Sequence, residues 1–234
     1  QRPAIDVMRQ HDGLATLQKA ILQLDELVLL VVVGEFNSGK SALVNALLGE
    51  NVLAEGATPT TSQVTLVKWG EQAAAQVVDE NFAIQSYPLA LLQELNIVDT
   101  PGTNAVIRHH ERLTDEFVPR SDLVLFTTSA DRPMTESERQ FLERILAWGK
   151  KIIFVLNKAD IFEEEAALQE VSDFVLKHAS TLLGEPPEIF PVSARLAQRA
   201  WGEPDDDQRR PFRAASRLDD LEEIIVATLD DAAI

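Results

Sequence analysis

Apolar stretches and helical patterns alternate along most of the chain. Residues 27–33 form the longest apolar run, which predicts a buried strand that ends at a glycine. Shorter runs predict further strands at 64–68, 75–79, 95–98, 123–127, 151–156 and 188–192. Helical patterns cover about 40–48, 106–117, 135–148 and 166–183, and the third opens with the capping-box pair Thr135 and Glu138. This alternation predicts an α/β fold with a mostly parallel central sheet and helices on both faces.

Two further amphipathic helices are predicted outside this strand–helix core, at 4–26 and 216–231. Their apolar faces consist of Leu14, Leu17, Ile21 and Leu24 in the first helix, and of Leu218, Leu221, Ile225 and Leu229 in the second. We expect the two faces to pack on each other or on a segment that is missing from this sequence. The alternative is that both are ordinary surface helices of the core domain. The expected domains are an N-terminal helix at 1–26, the core domain at 27–203, and an acidic linker with a C-terminal helix at 204–234.

Composition and charge narrow the class of protein. The formal net charge is −17, from 21 basic and 38 acidic residues, whereas a nucleic-acid-binding domain usually carries a basic surface. We therefore expect no nucleic-acid partner. The absence of cysteine excludes disulfides and thiolate metal sites and fits a reducing compartment. No run approaches the roughly 18 apolar residues of a transmembrane helix, so no membrane span is expected within these residues.

A phosphate-binding loop is predicted directly after the first strand. Residues 34–41 match the pattern G-x-x-x-x-G-K-S and open the next helix, so that backbone amides and the helix N-terminus can surround an anion. Lys40 is expected to reach the β- and γ-phosphates, and the Ser41 hydroxyl to bind Mg²⁺. The predicted nucleotide-binding residues here are Gly34, Glu35, Phe36, Asn37, Ser38, Gly39, Lys40, Ser41 and Ala42.

Two later segments are candidates for the γ-phosphate side of the same site. Asp99 follows the strand at 95–98 and opens a D-x-x-G motif, in which Asp99 can hold Mg²⁺ through water and the Gly102 amide can meet the γ-phosphate. A threonine-rich stretch at 58–61 lies between the two motifs. Thr61 is the favoured residue to complete the Mg²⁺ shell, with Thr60 second. A proline-containing loop before a strand is the alternative interpretation of this stretch.

A base-binding site is predicted at Asn157, Lys158, Ala159 and Asp160, which follow the strand at 151–156. The Asp160 carboxylate can accept hydrogen bonds from guanine N1–H and the 2-amino group, neither of which adenine has. A site built in this way can reject the wrong base by roughly 10⁴–10⁵-fold. The Lys158 stem would lie along the ring, and Asn157 would tie this loop to the phosphate loop. A last motif, Ser193, Ala194 and Arg195, would supply backbone contacts to guanine O6.

With these five motifs in order, the sequence resembles the TRAFAC GTPases and, within them, the dynamin-like family. The resemblance covers about residues 27–200 and extends into both flanking helices. It is carried by G-E-F-N-S-G-K-S, L-V-N-A-L-L-G, the threonine loop, D-T-P-G, S-D-L-V-L-F, P-M-T-E-S-E, G-K-K-I-I-F-V-L-N-K-A-D and V-S-A-R. The sequence is similar both to bacterial dynamin-like proteins and to plastid Fuzzy-onions-like proteins, which are similar to mitofusins, and it does not separate the two groups.

The resemblance implies a membrane-remodelling GTPase, acting in fusion or fission, with GTP as substrate, GDP as product and Mg²⁺ as metal. Its G domains would pair as a homodimer across the nucleotide and so stimulate hydrolysis, and the segments 4–26 and 216–231 resemble the neck helices. The full-length protein would be membrane-associated on a reducing side, either the bacterial cytoplasmic face or the plastid stroma or thylakoid. The alternatives are an Era-like ribosome-assembly GTPase that binds RNA and a GTP-dependent scaffold with little turnover.

Two departures from the motifs of related GTPases affect the expected catalytic mechanism. Thr103 and Asn104 follow Gly102 where Ras-type enzymes carry a glutamine, so water would be positioned by the Thr61 loop and the backbone. Asn37 is neutral and cannot act as an arginine finger, a group worth roughly 10³–10⁵ in rate, so slow basal turnover is expected. A bound monovalent ion, K⁺ or Na⁺, could replace it, as in the dynamins, and so could a basic residue from elsewhere. The predicted catalytic residues are Lys40, Thr61, Gly102, Asn37 and Ser38.

Overall fold

The computed structural model of the protein describes residues 27–56, 63–101 and 116–232. The helix predicted at 4–26 and most of the helix predicted at 106–117 lie outside these residues. Thr61 and Gly102, two of the predicted site residues, also lie outside them.

The described residues contain one eight-stranded sheet, with the strand order β3-β4-β2-β5-β1-β6-β7-β8. Its strands are β1 (Val28–Val33), β2 (Val64–Trp69), β3 (Ala74–Val77), β4 (Phe82–Tyr87), β5 (Leu95–Asp99), β6 (Leu123–Ser129), β7 (Lys151–Asn157) and β8 (Ile189–Pro191). Strands β5, β1, β6, β7 and β8 are parallel, whereas β2 runs antiparallel to β5 and β3 antiparallel to β4. The predicted mostly parallel sheet is confirmed.

The α-helices described from end to end are α1 (Lys40–Leu48), α2 (Glu136–Leu146), α3 (Glu165–Leu183), α4 (Ala194–Trp201), α5 (Asp206–Ser216) and α6 (Leu218–Ala232). Helix α2 begins with the predicted capping box. The Glu138 amide donates to the Thr135 hydroxyl at 3.2 Å, and the Thr135 amide donates to the Glu138 carboxylate at 3.0 Å.

Three elements differ from the sequence prediction. Strand β4 pairs between β3 and β2, although only one strand, at 75–79, was predicted between the strands at 64–68 and 95–98. Helix α4 was not predicted, and it begins inside the last predicted motif, at Ala194. The prediction of an acidic linker from residue 204 is wrong from Asp206 onward, because α5 begins there. Asp205 caps this helix by accepting a hydrogen bond from the Gln208 amide at 2.9 Å.

Apolar side chains pack in two layers, one on each face of the sheet. Successive residues of a strand point to opposite faces, so Leu29 and Val31 belong to one layer and Leu30 and Val32 to the other. The second layer also contains Leu218, Leu221 and Ile225 of α6, which are buried. The prediction that this apolar face lies outside the core is therefore wrong, because α6 covers the sheet of the same domain.

Candidate functional site

The predicted motifs within the described residues meet at one edge of the sheet. Strands β5, β1, β6, β7 and β8 run parallel, so their carboxyl ends lie at the same edge. Ligands of open α/β sheets bind at this edge. The loops after β1, β7 and β8 enclose a cavity of about 450 Å³, a size suited to a small ligand. The predicted site residues that line this cavity are Phe36, Asn37, Gly39, Lys40, Ser41, Ala42, Asn157, Lys158, Asp160, Ala194 and Arg195.

The phosphate loop takes its shape from two glycines that lie against other backbone and side-chain atoms. A Cβ atom on Gly34 would lie 2.0 Å from the Thr127 carbonyl oxygen, and one on Gly39 would lie 2.3 Å from Asn157 Nδ2. Both contacts are far shorter than any real Cβ contact. Asn37, between the two, has a left-handed backbone with φ of 64°, a conformation that asparagine tolerates better than most residues. The loop therefore depends on glycine for its close approach to β6 and β7.

Lys40 is buried at the base of this loop. Its Nζ donates to the carbonyl oxygens of Gly34 at 3.2 Å and Glu35 at 2.9 Å. Burial lowers the pKa of Lys40 to about 8, while the nearby carboxylates of Asp99, Glu138 and Glu35 act in the opposite direction. An anion in the cavity would stabilise the charged ammonium, which the buried site alone disfavours.

Ser41 and Asp99 form a set of oxygen donors suited to a hard cation. The Ser41 hydroxyl donates to Asp99 Oδ2 at 2.7 Å, whereas the buried Oδ1 has no hydrogen-bond partner among the described residues. Burial raises the pKa of Asp99 to about 6, although Lys40 and Ser41 favour the carboxylate. Mg²⁺ typically binds one or two protein oxygens and completes its shell with water and phosphate oxygens. These residues therefore fit Mg²⁺ bound together with a phosphate.

Asn157 joins the phosphate loop to the loops after β7 and β8. Its Nδ2 donates to the carbonyl oxygens of Ser38 at 3.0 Å and Gly39 at 3.3 Å. Its Oδ1 accepts from the amides of Lys158 at 2.8 Å and Ala194 at 3.2 Å. The predicted tie between the base loop and the phosphate loop is thus present in the structure. One buried side chain fixes the relative positions of three loops.

The far end of the cavity contains the Asp160 carboxylate, which is nearly buried. Asp160 accepts hydrogen bonds from the Ser193 hydroxyl and the Arg195 guanidinium, so residues of two predicted motifs meet here. Lys158 has a left-handed backbone with φ of 65°, and its Nζ lies 3.3 Å from Asp131 Oδ1. Asp131 also accepts from the Ser129 hydroxyl at the end of β6. The Lys158 side chain is therefore held by a residue just after β6, which none of the five nucleotide-binding motifs includes.

Two of the predicted phosphate-loop side chains do not line the cavity. The Glu35 carboxylate accepts hydrogen bonds from the hydroxyls of Thr135 at 3.0 Å and Ser137 at 2.9 Å, which links the loop to the start of α2. The Ser38 hydroxyl is buried and has no hydrogen-bond partner among the described residues. Neither side chain is placed to contact a ligand in the cavity, so any contact from these two positions would come from the backbone.

Sequence reasoning missed several residues of the cavity wall: Glu55, Gly56, Thr100, Ile161 and Gln198. Thr100 lies inside the D-x-x-G motif, and its hydroxyl donates to the Val32 carbonyl at 2.8 Å. Glu55 and Gln198 lie 143 positions apart and are joined by a hydrogen bond of 2.7 Å. No local pattern connects them, so the sequence offers no signal for this pair.

Comparison with known proteins identifies the family. A family model described as 50S ribosome-binding GTPase matches residues 29–158, more than half of the chain. The chain belongs to this family of GTPases. A probable transmembrane GTPase, FZO-like and chloroplastic, from Arabidopsis thaliana is 45% identical over 195 residues, or 81% of this GTPase chain and 21% of that protein. A bacterial dynamin-like protein from Nostoc punctiforme is 30% identical over 175 residues, or 58% of this chain and 25% of that protein.

The GTPase chain spans a quarter or less of the length of these two relatives. A solved structure of an oligomerised bacterial dynamin pair aligns with 97% of the chain and 49% of its own length, with a TM-score of 0.73 and 20% identity, which shows the same fold. Structures of Era align less well, with a TM-score of 0.58. The predicted resemblance to dynamin-like GTPases is confirmed, and the Era-like alternative has less support. No helix within the described ranges is long and apolar enough to cross a bilayer.

Proposed function

We propose that the cavity binds Mg²⁺–GTP and hydrolyses it to GDP and phosphate, as the GTPase domain of a membrane-remodelling protein. The observation that carries this proposal is the Asn157 side chain, which joins the phosphate loop to the loops that hold Asp160 and Arg195. A triphosphate at Lys40 and a base at Asp160 would therefore occupy the two ends of one cavity. The distance between these ends is set by the Asn157 hydrogen bonds.

In this proposal Asp160 reads the guanine edge. Its carboxylate would accept from N1–H and the 2-amino group, while the Ser193 hydroxyl keeps it oriented. The Lys158 stem lies along the ring, and the backbone of Ser193, Ala194 and Arg195 meets O6. ATP is rejected because adenine has an unprotonated N1 and no 2-amino group, so it donates no hydrogen bond to the Asp160 carboxylate.

Hydrolysis proceeds by in-line attack of water on the γ-phosphate, with charge stabilisation and positioning as the main sources of rate. Lys40 gives up its contacts with the Gly34 and Glu35 carbonyls and donates to the β- and γ-phosphates. Thr61 gates the attack and the Gly102 amide senses the γ-phosphate. The remaining loop residues from Gly34 to Ala42 surround the phosphates through their backbone.

Ser41, Asp99 and Thr61 are the residues that would hold Mg²⁺. When bound, this ion neutralises charge that develops on the phosphate oxygens. Ser41 and Asp99 already lie in hydrogen-bond contact, and Asp99 Oδ1 is available within the described residues. Asn37 and Ser38 would assist catalysis, Ser38 through its backbone and Asn37 as an oxygen ligand for a monovalent ion, K⁺ or Na⁺. The position of Asn37 on the cavity wall supports this role.

The whole protein is proposed to remodel membranes in fusion or fission, with homodimerisation through this domain as the stimulus for turnover. The support is the relatives: one is named a transmembrane GTPase, and a dynamin pair of the same fold is described as tethering membranes. The protein would act at the bacterial cytoplasmic face or at the stromal or thylakoid side of a plastid membrane.

Calorimetry and light scattering test these proposals separately. Titration with Mg²⁺–GTP should release heat, Mg²⁺–ATP should not, and Lys40→Ala should abolish GTP binding or turnover. Normal turnover by Lys40→Ala would refute the assignment. For dimerisation, the molar mass should double with GDP and a fluoride transition-state mimic but not with GDP alone. A monomer in both cases would leave a GTPase whose turnover does not depend on pairing.

A further inference from the structure

Glu55 belongs to the part of the cavity wall that the sequence motifs do not supply. One of its carboxylate oxygens, Oε1, accepts hydrogen bonds from two side-chain amides. These come from Asn45 Nδ2 at 2.6 Å and Gln198 Nε2 at 2.7 Å. Asn45 is fully buried on α1 and Gln198 lies on α4, so two helices hold the carboxylate in place.

These contacts place Glu55 beside the middle of the cavity. Gln198 follows Arg195 by about one turn of α4, and Arg195 contacts the proposed base-reading carboxylate of Asp160. The same Gln198 Nε2 donates to the Ala42 carbonyl at 3.0 Å, and Ala42 follows Ser41 at the phosphate end. The wall at Glu55 therefore faces the region between base and phosphates, where the sugar of a nucleotide lies.

The second oxygen of Glu55, Oε2, has no hydrogen-bond partner among the described residues, and the side chain is exposed to the cavity. A carboxylate held in this way can accept hydrogen bonds but has none to donate. The vicinal 2′- and 3′-hydroxyls of ribose are donors of matching chemistry, and an acidic residue binds ribose hydroxyls in other nucleotide sites. A phosphate at the same place would be repelled by the charge.

We propose that Glu55 accepts hydrogen bonds from the ribose hydroxyls of the bound guanine nucleotide and so selects ribonucleotides. This inference rests on the nucleotide binding proposed above. It assigns to Glu55 a role in specificity that is separate from base reading by Asp160 and from phosphate binding by Lys40. Asn45 and Gln198 are the positioning residues of this contact.

The test compares GDP with 2′,3′-dideoxy-GDP, because neither ligand requires the γ-phosphate side of the site. A hydrogen bond to a charged group corresponds to about a tenfold or larger change in affinity. The wild-type chain should therefore bind GDP at least about tenfold more tightly than the dideoxy ligand. In Glu55→Ala this ratio should fall to near one, through weaker GDP binding alone.

The alanine substitution should not disturb the neighbouring amides. Asn45 Nδ2 also donates to the Leu53 carbonyl at 2.9 Å, and Gln198 Nε2 keeps its bond to Ala42. Glu50→Ala is the matched control, since Glu50 is an exposed acidic residue just after α1 and should keep the wild-type ratio. Thermal denaturation of all three proteins shows whether they are equally folded.

Three outcomes would overturn the inference. The first is equal binding of both ligands by the wild-type chain, and the second is an unchanged affinity ratio in Glu55→Ala. The third is that Glu55→Ala binds both ligands more weakly by the same factor. The last result would mean that Glu55 only shapes the wall. A wild-type chain that binds neither ligand would instead refute nucleotide binding itself, so the two failures are distinct.

Discussion

Replacing Asn157 by alanine should lower both the stability of the fold and its affinity for nucleotide. The side chain is 2% exposed and makes four hydrogen bonds, to Ser38, Gly39, Lys158 and Ala194. Each such bond contributes about 0.5–1.5 kcal/mol net. Because the Ser38 and Gly39 carbonyls share one amide group, the expected loss is about 2–4 kcal/mol in the free energy of unfolding rather than the full sum.

The effect on affinity has a separate cause. Without Asn157 the phosphate loop and the base loop are no longer tied, so a bound nucleotide must order them itself. Fixing one backbone residue costs about 1–2 kcal/mol, and about 1.4 kcal/mol corresponds to a factor of ten. Asn157→Ala should therefore bind GDP at least about tenfold more weakly than the wild type.

Urea denaturation and calorimetric titration measure the two effects, with Asn45→Ala as a matched control. Asn45 is also a buried asparagine with four hydrogen bonds, two donated to Leu53 and Glu55 and two accepted from Val52 and Leu53. It should cost similar stability, but its effect on binding should be confined to the ribose contact at Glu55. Affinity for 2′,3′-dideoxy-GDP should fall in Asn157→Ala alone. Equal loss of that affinity in both variants, or none in either, would refute the role of Asn157 as a tie.

Four further predictions follow from single groups of the site. Thr127→Val should leave the free energy of unfolding unchanged or raise it by about 1 kcal/mol, because the buried Thr127 hydroxyl has no partner among the described residues; urea denaturation checks this. Asp160→Asn should shift binding from GTP toward xanthosine triphosphate in competition titrations. Affinity for Mg²⁺–GDP should be highest between about pH 6 and 8, because Asp99, with its pKa raised to about 6, is protonated below this range. Lys40, with its pKa lowered to about 8, loses its charge above this range. Calorimetric titrations at several pH values measure the loss of affinity on both sides of the range. Turnover should be faster in potassium chloride than in choline chloride, and Asn37→Ala should remove the difference.

The central part of the fold and the phosphate and base loops could be predicted because their signals are local. Residues 34–41 carry glycines where the backbone approaches Thr127 and Asn157, and the strand before them is apolar throughout. Motifs that follow parallel strands then lie at one edge of the sheet, even when they are far apart in the sequence. That is why Asn157 could be predicted to meet the phosphate loop from 118 positions away.

The parts that could not be predicted depend on contacts that no short pattern records. An amphipathic helix such as α6 shows in its sequence that one face is apolar, but not that Leu218 and Leu221 pack under the sheet of the same domain. Helix α5 was hidden by its acidic start and by Pro211 within it. The hydrogen bond between Glu55 and Gln198 depends on how α1 and α4 pack, which is a property of the tertiary structure alone.

The base end of the site raises the question of whether the Arg195 ion pair opposes guanine binding, since guanine and Arg195 would use the same carboxylate. The Arg195 side chain is 77% exposed, whereas Asp160 is 7% exposed. An ion pair with one partner so exposed to water contributes about 0–1 kcal/mol. Two hydrogen bonds from guanine to Asp160 contribute more than this ion pair, because each hydrogen bond to a charged group contributes about 1.5–3 kcal/mol. The Ser193 hydroxyl does not need to move, so the carboxylate stays oriented while its partner changes. Arg195 thus satisfies a buried charge in the absence of a base at little cost to the affinity for guanine.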